Sequence, residues 1–579
     1  MSTGIDPPTL ALGSAVVLAL FFNYTLRPPP PQIHPFLLGR QSLPGPTRNE
    51  GESPVYTSSA NGGARTLPRP DRNIRTLGDV VAQSETCLEG GARGTWVKGG
   101  EKLVGLVAAL RAGLESKLQG VSGAVLVVVD DPTDALLVTL ALATSPLHPI
   151  LLASGSSLPD SLDIAAIIKA SDRTDLAHAL GDRKCLDLSD VEAAQDLVAT
   201  GRSLGSAAAS LAAEAGDKVD VNEVALTVVS DGLALPFTHQ NLTASLASWL
   251  SLFPASPQAT KPTLRDSALS FHHPSTPHGL GLALMLVYQS ASLSFPPLPS
   301  TADLAPAAGT DDEDANAAKE RVAEAWCAVF APKPAATLVF APSHLVDEPL
   351  YALVLHKILG DSSVIVRHAR DGKLRLLREG TVSKQTFWDS LLWKGLRKDI
   401  HLTSLRGLFL SVSAPSSTSS TTSSSTGIPQ SHLDTFRCAL GCPVVPLLSH
   451  PALLAPVAAG NLWDVQRLPP PGAKRLVGDE RGHVGAVGAG CEVKLVGDEA
   501  DFAAGRVRGE LLLRTPFLPN PSSLPAHLLS TDTALPALPP YPGQAAPEST
   551  TEGARWFRTG IRAEMSTEGT LWLEERAVQ

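Results

Sequence analysis

Two short runs near the end of the chain alternate apolar with polar positions, Val493 with Leu495 and Leu511 with Leu513, and each follows glycines of the kind a tight turn requires. A period of two predicts half-buried strands. Earlier the pattern differs: residues 102–118 carry helical periodicity, 124–129 form an unbroken apolar run, 136–143 are helical again, and 150–153 form a second apolar run. That alternation predicts a parallel sheet with crossover helices, hence an α/β architecture with a β-rich C-terminal portion. Residues 224–229 and 337–344 read as further core strands, 165–171 and the Ala-rich 206–215 complete the first half, and Thr76 is placed to cap a helix over 76–81.

Residues 7–26 contain no charge and 10–22 are almost continuously apolar, enough for a helix to cross ~30 Å of hydrocarbon. This predicts a membrane anchor. A cleaved signal peptide is the alternative, against which stand the missing basic leader and the missing small-x-small site before Arg27. Asp6 precedes the segment whereas Arg27, Arg40 and Arg48 follow it, so the body is expected to face the cytosol, on the endoplasmic reticulum or a related organelle. The sequons at Asn23 and Asn241 would then escape glycosylation. Residues 1–31 thus read as anchor and stiff Pro-rich spacer, 32–75 as an extended lead-in, and 76–579 as the main domain.

Composition narrows the partners. With 43% hydrophobic and 18% charged residues the chain is globular, and a net charge of -10 argues against a nucleic-acid surface. Six scattered cysteines fit a reducing compartment. Cys438 and Cys442 could place two thiols on one helix face, but no second pair at ligand spacing follows, which favours buried thiols over zinc. Asp130 and Asp131 end an apolar run and either hold a metal or form a turn that caps the next helix, the commoner use. Residues 301–316 read as an acidic loop, 416–426 as a disordered Ser/Thr insertion, and 519–552 as an irregular Pro-rich loop.

Four phrases in residues 482–576, G-H-V-G, G-E-L-L-L-R, W-F-R-T-G and E-G-T-L-W-L-E-E-R, resemble in order the end of the large domain of the adenylate-forming superfamily, the acyl-CoA synthetases and their relatives. The ribose-binding T-G-D turn of that family appears here as Thr559, Gly560 and Ile561, and its hinge keeps Glu568, Gly569, Leu571 and Arg576. Residues 223–242 resemble the region where a strand enters a Ser/Thr/Gly-rich phosphate loop, then P-K-G, then T-H-x-N-L, with Pro236, Thr238, His239, Asn241 and Leu242 keeping the frame. Residues 266–295 resemble the family's second strand, its P-x-x-H-x-x-G turn and the helix beneath the acyl pocket, and 377–398 resemble the long-chain branch. H-P-F-L-L-G-R-Q-S and G-E-S-P-V-Y are similar to the opening of fungal members.

The resemblance, which covers about 76–579, implies the large N-terminal domain of the adenylate-forming fold. It implies nucleotide contacts at Ser230, Gly232, Thr238, Thr559, Gly560 and Arg576, an acyl pocket at His278 and Gly279, and ATP or AMP with Mg as ligands. Taken alone, His278 reads as a capping or satisfied polar residue, and 230–235 as a plain strand-turn-helix connection.

The departures imply more. The 230–235 loop is about four residues shorter than a family phosphate loop, has Phe237 where the lysine belongs, and contains Asp231, which would repel phosphate. Residues 447–451 read L-L-S-H-P where the family has Y-G-x-T-E, whose ring stacks on adenine and whose glutamate binds magnesium. Ile561 replaces the ribose aspartate, and the chain stops at Gln579 with no C-terminal domain or catalytic lysine. These losses imply a membrane-anchored, catalytically degenerate acyl-CoA synthetase-like protein with no catalytic residue, weak or lost ATP and Mg binding, and no use of CoA. Its expected partners are a fatty acid, an acyl-CoA or a partner acyl-CoA synthetase. An active ligase with unusual residues and a ligand-free membrane scaffold are the competing readings.

Overall fold

The computed structural model describes residues 11–18 and most of 41–574; the longest stretches outside the described residues are 19–40, 86–101, 205–219, 298–323, 414–426, 465–481 and 532–554, together with 575–579. The expectations for 206–215, 301–316 and 416–426 therefore fall outside them.

Among the described residues six strands form one sheet, in spatial order Lys184–Asp187, Ile164–Ala170, Ala124–Val129, His148–Leu152, Val224–Ser230 and Leu233–Thr238. All neighbours run parallel except the last two. Parallel strands need crossovers, and the helix Pro132–Ala143 supplies one, packing on both strands it connects. Its start settles the role of Asp131, whose carboxylate accepts from Thr133 N and Asp134 N at 2.8 and 3.1 Å as an N-cap. Thr76 caps its own helix, Leu77–Gln83, in a reciprocal box with Asp79.

Among the described residues the second sheet has fourteen strands and joins a parallel part to the antiparallel C-terminal β part. Its parallel half, Val444–Ser449, Gly407–Ser413, Leu338–Pro342, Ser267–Ser270 and Ser292–Ser294, continues through the two-residue strand Ala458–Ala459 into an antiparallel half. That half holds Gly485–Val487, Thr570–Leu573, Arg555–Met565, Val507–Arg514 and Glu492–Val496. Val493, Leu495, Leu511 and Leu513 are all fully buried and pair as Val493↔Leu513 and Leu495↔Leu511. The polar face of these strands is buried too. Lys494 is 2% exposed, bonded to Glu52 at 2.8 Å and lying 4.8 Å from the Trp556 ring centroid, while Arg514 pairs with Glu492.

The lead-in segment provides part of that cover. Ser42–Pro44 and Tyr56–Ser58 form a hairpin that adds to the edge of Glu492–Val496. Ser42 Oγ donates to Gly569 O at 2.5 Å and accepts from Val487 N at 3.0 Å, and Gln41 N donates to Glu568 O. Gly569 must be glycine: its φ is +79°, and a Cβ would lie 2.5 Å from Ser42 N. Two short pieces of the lead-in are therefore sheet, with Gln41 and Ser42 hydrogen-bonded to the turn at 568–569.

Cys438 sits in the helix Gln430–Leu440 and Cys442 lies beyond its left-handed Gly441 cap, so they do not share a helix face. Burial pushes both thiols up to about 12, leaving them protonated and poor ligands. Among the described residues no cluster of three His, Cys, Asp or Glu has metal-holding geometry. Residues 523–531 of the Pro-rich stretch are ordered into a 3-10 turn, Ala526–Leu528, and a strand, Leu529–Thr531. Residues 11–18 are helical with Leu12, Val16, Val17 and Leu18 exposed; among the described residues no helix is long and apolar enough to cross a membrane.

Candidate nucleotide and acyl site

The segment expected to be a phosphate loop is a β-hairpin. Val224–Ser230 pairs antiparallel with Leu233–Thr238 down to Ser230↔Leu233, leaving a two-residue turn. Asp231 and Gly232 have φ of +51° and +76°, positive at both central positions as a type I′ turn demands. Ser230 is thus a buried strand residue, and Gly232 forms the turn. The Asp231 amide is bonded to Ser156 Oγ at 3.2 Å. Phe237 is fully buried on the returning strand.

The T-H-x-N-L phrase has local work of its own. Thr238 caps the helix His239–Leu250, accepting from Asn241 N at 3.2 Å while Asn241 Oδ1 accepts from Thr238 N at 2.9 Å. Asn241 then donates through Nδ2 to Pro516 O and Leu518 O, tying the start of this helix to the segment that follows the strand Val507–Arg514. His239 Nδ1 accepts from Leu77 N at 3.2 Å, and burial holds its pKa below the ordinary imidazole value.

Thr559, Gly560 and Ile561 lie within the strand Arg555–Met565. The pairs Glu510↔Arg562 and Leu512↔Arg558 leave Leu511 alone opposite all three, a bulge that Gly560 turns with φ +67°. Thr559 Oγ1 donates to Leu511 O at 2.7 Å and accepts from Ile561 N at 3.2 Å. The bulge aims Ile561 inward, where it is 6% exposed in the main core. Arg576 is outside the described residues.

Residues 447–451 come close to that bulge. Leu447 and Leu448 are fully buried on Val444–Ser449, and His450 follows at its end. His450 meets Phe557 edge-on at 5.1 Å, accepts from Ala452 N at 3.1 Å, and hydrogen-bonds the Thr559 backbone. Burial lowers its pKa to about 4, so it is a neutral ring at pH 7. The two phrases implied to surround adenine and ribose are brought together by His450, through its contacts with Phe557 and the Thr559 backbone.

At the expected acyl pocket, Thr276 caps the helix Pro277–Tyr288 and His278 is the second helical residue. Its Nε2 lies 3.1 Å from Ser411 Oγ, which lies 3.1 Å from His272 Nε2. One ring must accept from the hydroxyl while the other donates to it, a chain that holds a proton without a net charge. Burial keeps His272 well below its usual range and His278 at about 3. His278 Nδ1 is buried without a partner, and the ring sits 5.0 Å from Trp249. Gly279 serves packing: a Cβ there would meet His273 O at 2.2 Å. Ser411 and His272 were not anticipated. The available signal was a hydroxyl, 1% exposed in the structure, in the otherwise apolar run L-F-L-S-V.

No family model matches the chain, and no curated protein matches it in sequence. Solved structures do match. A long-chain-fatty-acid-CoA ligase from Archaeoglobus fulgidus aligns with a TM-score of 0.53 at 13% identity, over 88% of this chain and 86% of its own. A benzoate CoA ligase from Burkholderia xenovorans gives 0.51 at 13%, over 86% and 80%, and a Mycobacterium tuberculosis fatty acyl CoA synthetase gives 0.51 at 11%, over 87% and 79%. At these identities the likeness speaks for the fold alone: the chain is built on the mixed α/β fold, with parallel sheets, of the large domain of adenylate-forming CoA ligases.

Proposed function

We propose that the chain is a degenerate acyl-CoA synthetase-like protein that keeps the adenylate-forming fold, has lost activation of a carboxylate by ATP, and holds a fatty acyl ligand or a partner acyl-CoA synthetase at a membrane. The observation that carries this reading is the two-residue turn at Asp231–Gly232. A loop that surrounds phosphates needs small residues with free amides and a cation. Here the flanking strands are paired with each other, and Phe237 is buried where the lysine belongs. The inward Ile561 and the neutral His450 support the same reading.

Each missing charged contact removes about 1.5–3 kcal/mol of binding, and losses on one reaction path are not repaired singly. ATP, AMP and Mg are then bound weakly or not at all, and CoA is not used. The anchor at 7–26 and a cytosol-facing body, on the endoplasmic reticulum or a related organelle, belong to the same proposal.

The test is fatty-acid-dependent exchange of labelled pyrophosphate into ATP with magnesium, paired with calorimetry against fatty acids and acyl-CoAs of graded length. No exchange, together with micromolar binding of a long chain, is expected. Robust exchange would make the chain an active ligase with unusual residues; no exchange and no binding at any length would leave a scaffold.

A further inference from the structure

The helix Val364–Arg378 buries Val366, Ala369, Lys373 and Leu377 along one side. Its other side is open, as is one side of the helical run that passes through the π-turn Asp389–Trp393 into Lys394–Asp399. The two elements are locked together. Asp389, 2% exposed, takes Lys373 Nζ at 2.5 Å and Arg397 Nη1 at 2.8 Å, and the Trp388 ring lies 5.8 Å from His368.

Around that junction, large apolar side chains face solvent. Val364 is 77% exposed, Phe387 61% and Leu391 57%. Val364 is one helical turn before His368, Phe387 contacts Trp388 at 5.3 Å, and Leu391 is one turn after Phe387, so the three bracket Trp388. Cations flank them: Arg367, Arg370, Arg375, Arg378, Lys394 and Lys398 are all exposed. Residues 364–399 carry nine Lys and Arg against four Asp and Glu, a net +5 within a chain of net -10.

We propose that this face docks on an anionic lipid bilayer. Val364, Phe387 and Leu391 enter the boundary between headgroups and acyl chains, while the arginines and lysines meet lipid phosphates. Exposed aliphatic and aromatic side chains ringed by cations are what an interfacial element presents. Charge complementarity selects the occupant: apart from Lys373 and Arg397, which are buried against Asp389, six exposed cations lie here against Asp371, Glu379 and Asp399, a local positive excess in an acidic protein. The contact is separate from the anchor proposed for 7–26 and does not require it. It would hold the body flat against the surface, fixed by the buried Asp389 ion pairs.

Hydrogen exchange on the full chain tests this, using vesicles of phosphatidylcholine with or without phosphatidylserine. The 7–26 segment would seat on both vesicles, so local protection reports on this face alone. Slowed exchange over 364–371 and 387–394 is expected with the anionic vesicles and not with the neutral ones. Arg367→Glu with Arg370→Glu should abolish it, each cation removed weakening apparent affinity by about fivefold. Phe387→Ser with Leu391→Ser should do the same with unchanged circular dichroism. Exchange unaltered by anionic vesicles, equal protection on neutral ones, or protection conferred only by an added protein would each overturn the proposal.

Discussion

The hairpin at Asp231–Gly232 and the bulge at Thr559–Ile561 stand where the two halves of a nucleotide contact were expected, and they are closed by different means. At the hairpin the backbone does it, since strand pairing runs to the turn and leaves no loop. At the bulge the backbone keeps a kinked course around Gly560, and side chains do it, with Ile561 buried in the core and His450 buried against Phe557 and the Thr559 backbone. A closure made of backbone cannot be reopened by one substitution, whereas one made of side chains responds to each of them.

The largest expected effect is at the bulge. Ile561→Asp, which restores the family's ribose residue on paper, should destabilise the protein by about 3 kcal/mol, because it removes a core side chain and buries a carboxylate without a partner. Denaturant unfolding measures this. A variant as stable as wild type that also gains nucleotide affinity would break the comparison, making the bulge an open ribose turn.

Acid comes next. Unfolded His450 titrates near 6.5 and the folded ring near 4, so its contribution to stability is complete above pH 6.5 and is lost as pH falls toward 4. Between pH 7 and pH 5 that loss is about 2 kcal/mol. His450→Gln should remove this part of the pH dependence in urea unfolding, and an unchanged slope would show that the ring is solvated.

Gly232→Ala and Gly560→Ala should each cost about 1–2 kcal/mol. Both positions have positive φ, and a Cβ would meet Ser157 Oγ at 3.5 Å in one and nothing within 4 Å in the other. Similar losses at the two sites would confirm that the backbones are equally fixed and that only their surroundings differ. The smallest effect is Asp231→Asn, within about 0.5 kcal/mol in thermal unfolding, since asparagine suits the same turn position. A larger change would give the carboxylate a role beyond the turn.

Local patterns were legible wherever one period or one cap decided the structure: Val493 and Leu495 on their strand, the helix Leu103–Lys117 inside 102–118, and Thr76 and Asp131 as caps. The hairpin was legible in principle, because Asp-Gly between two largely apolar runs favours a type I′ turn. The family frame instead directed attention to a loop, and Pro236 made a second strand less visible, although it sits on the sheet's edge, where proline is tolerated. What could not be read was long-range. Nothing near Ser411 announces His278 and His272, which reach it from residues more than 130 positions away. Nor does the alternation at 492–496 reveal that its polar face is covered by Trp556 and Glu52.

Ser42–Pro44 and Tyr56–Ser58 leave the ribosome well before their partner Glu492–Val496, Glu52 and Lys494 being 442 positions apart. At about 5–20 residues per second, synthesis alone separates them by roughly 20–90 seconds. Throughout that interval the nascent chain carries an unpaired hairpin, and pairing it requires closing a very long loop. Refolding should therefore end with a slow phase in which these two distant segments clasp, and the edge of the large sheet is the last part of it to be protected from exchange.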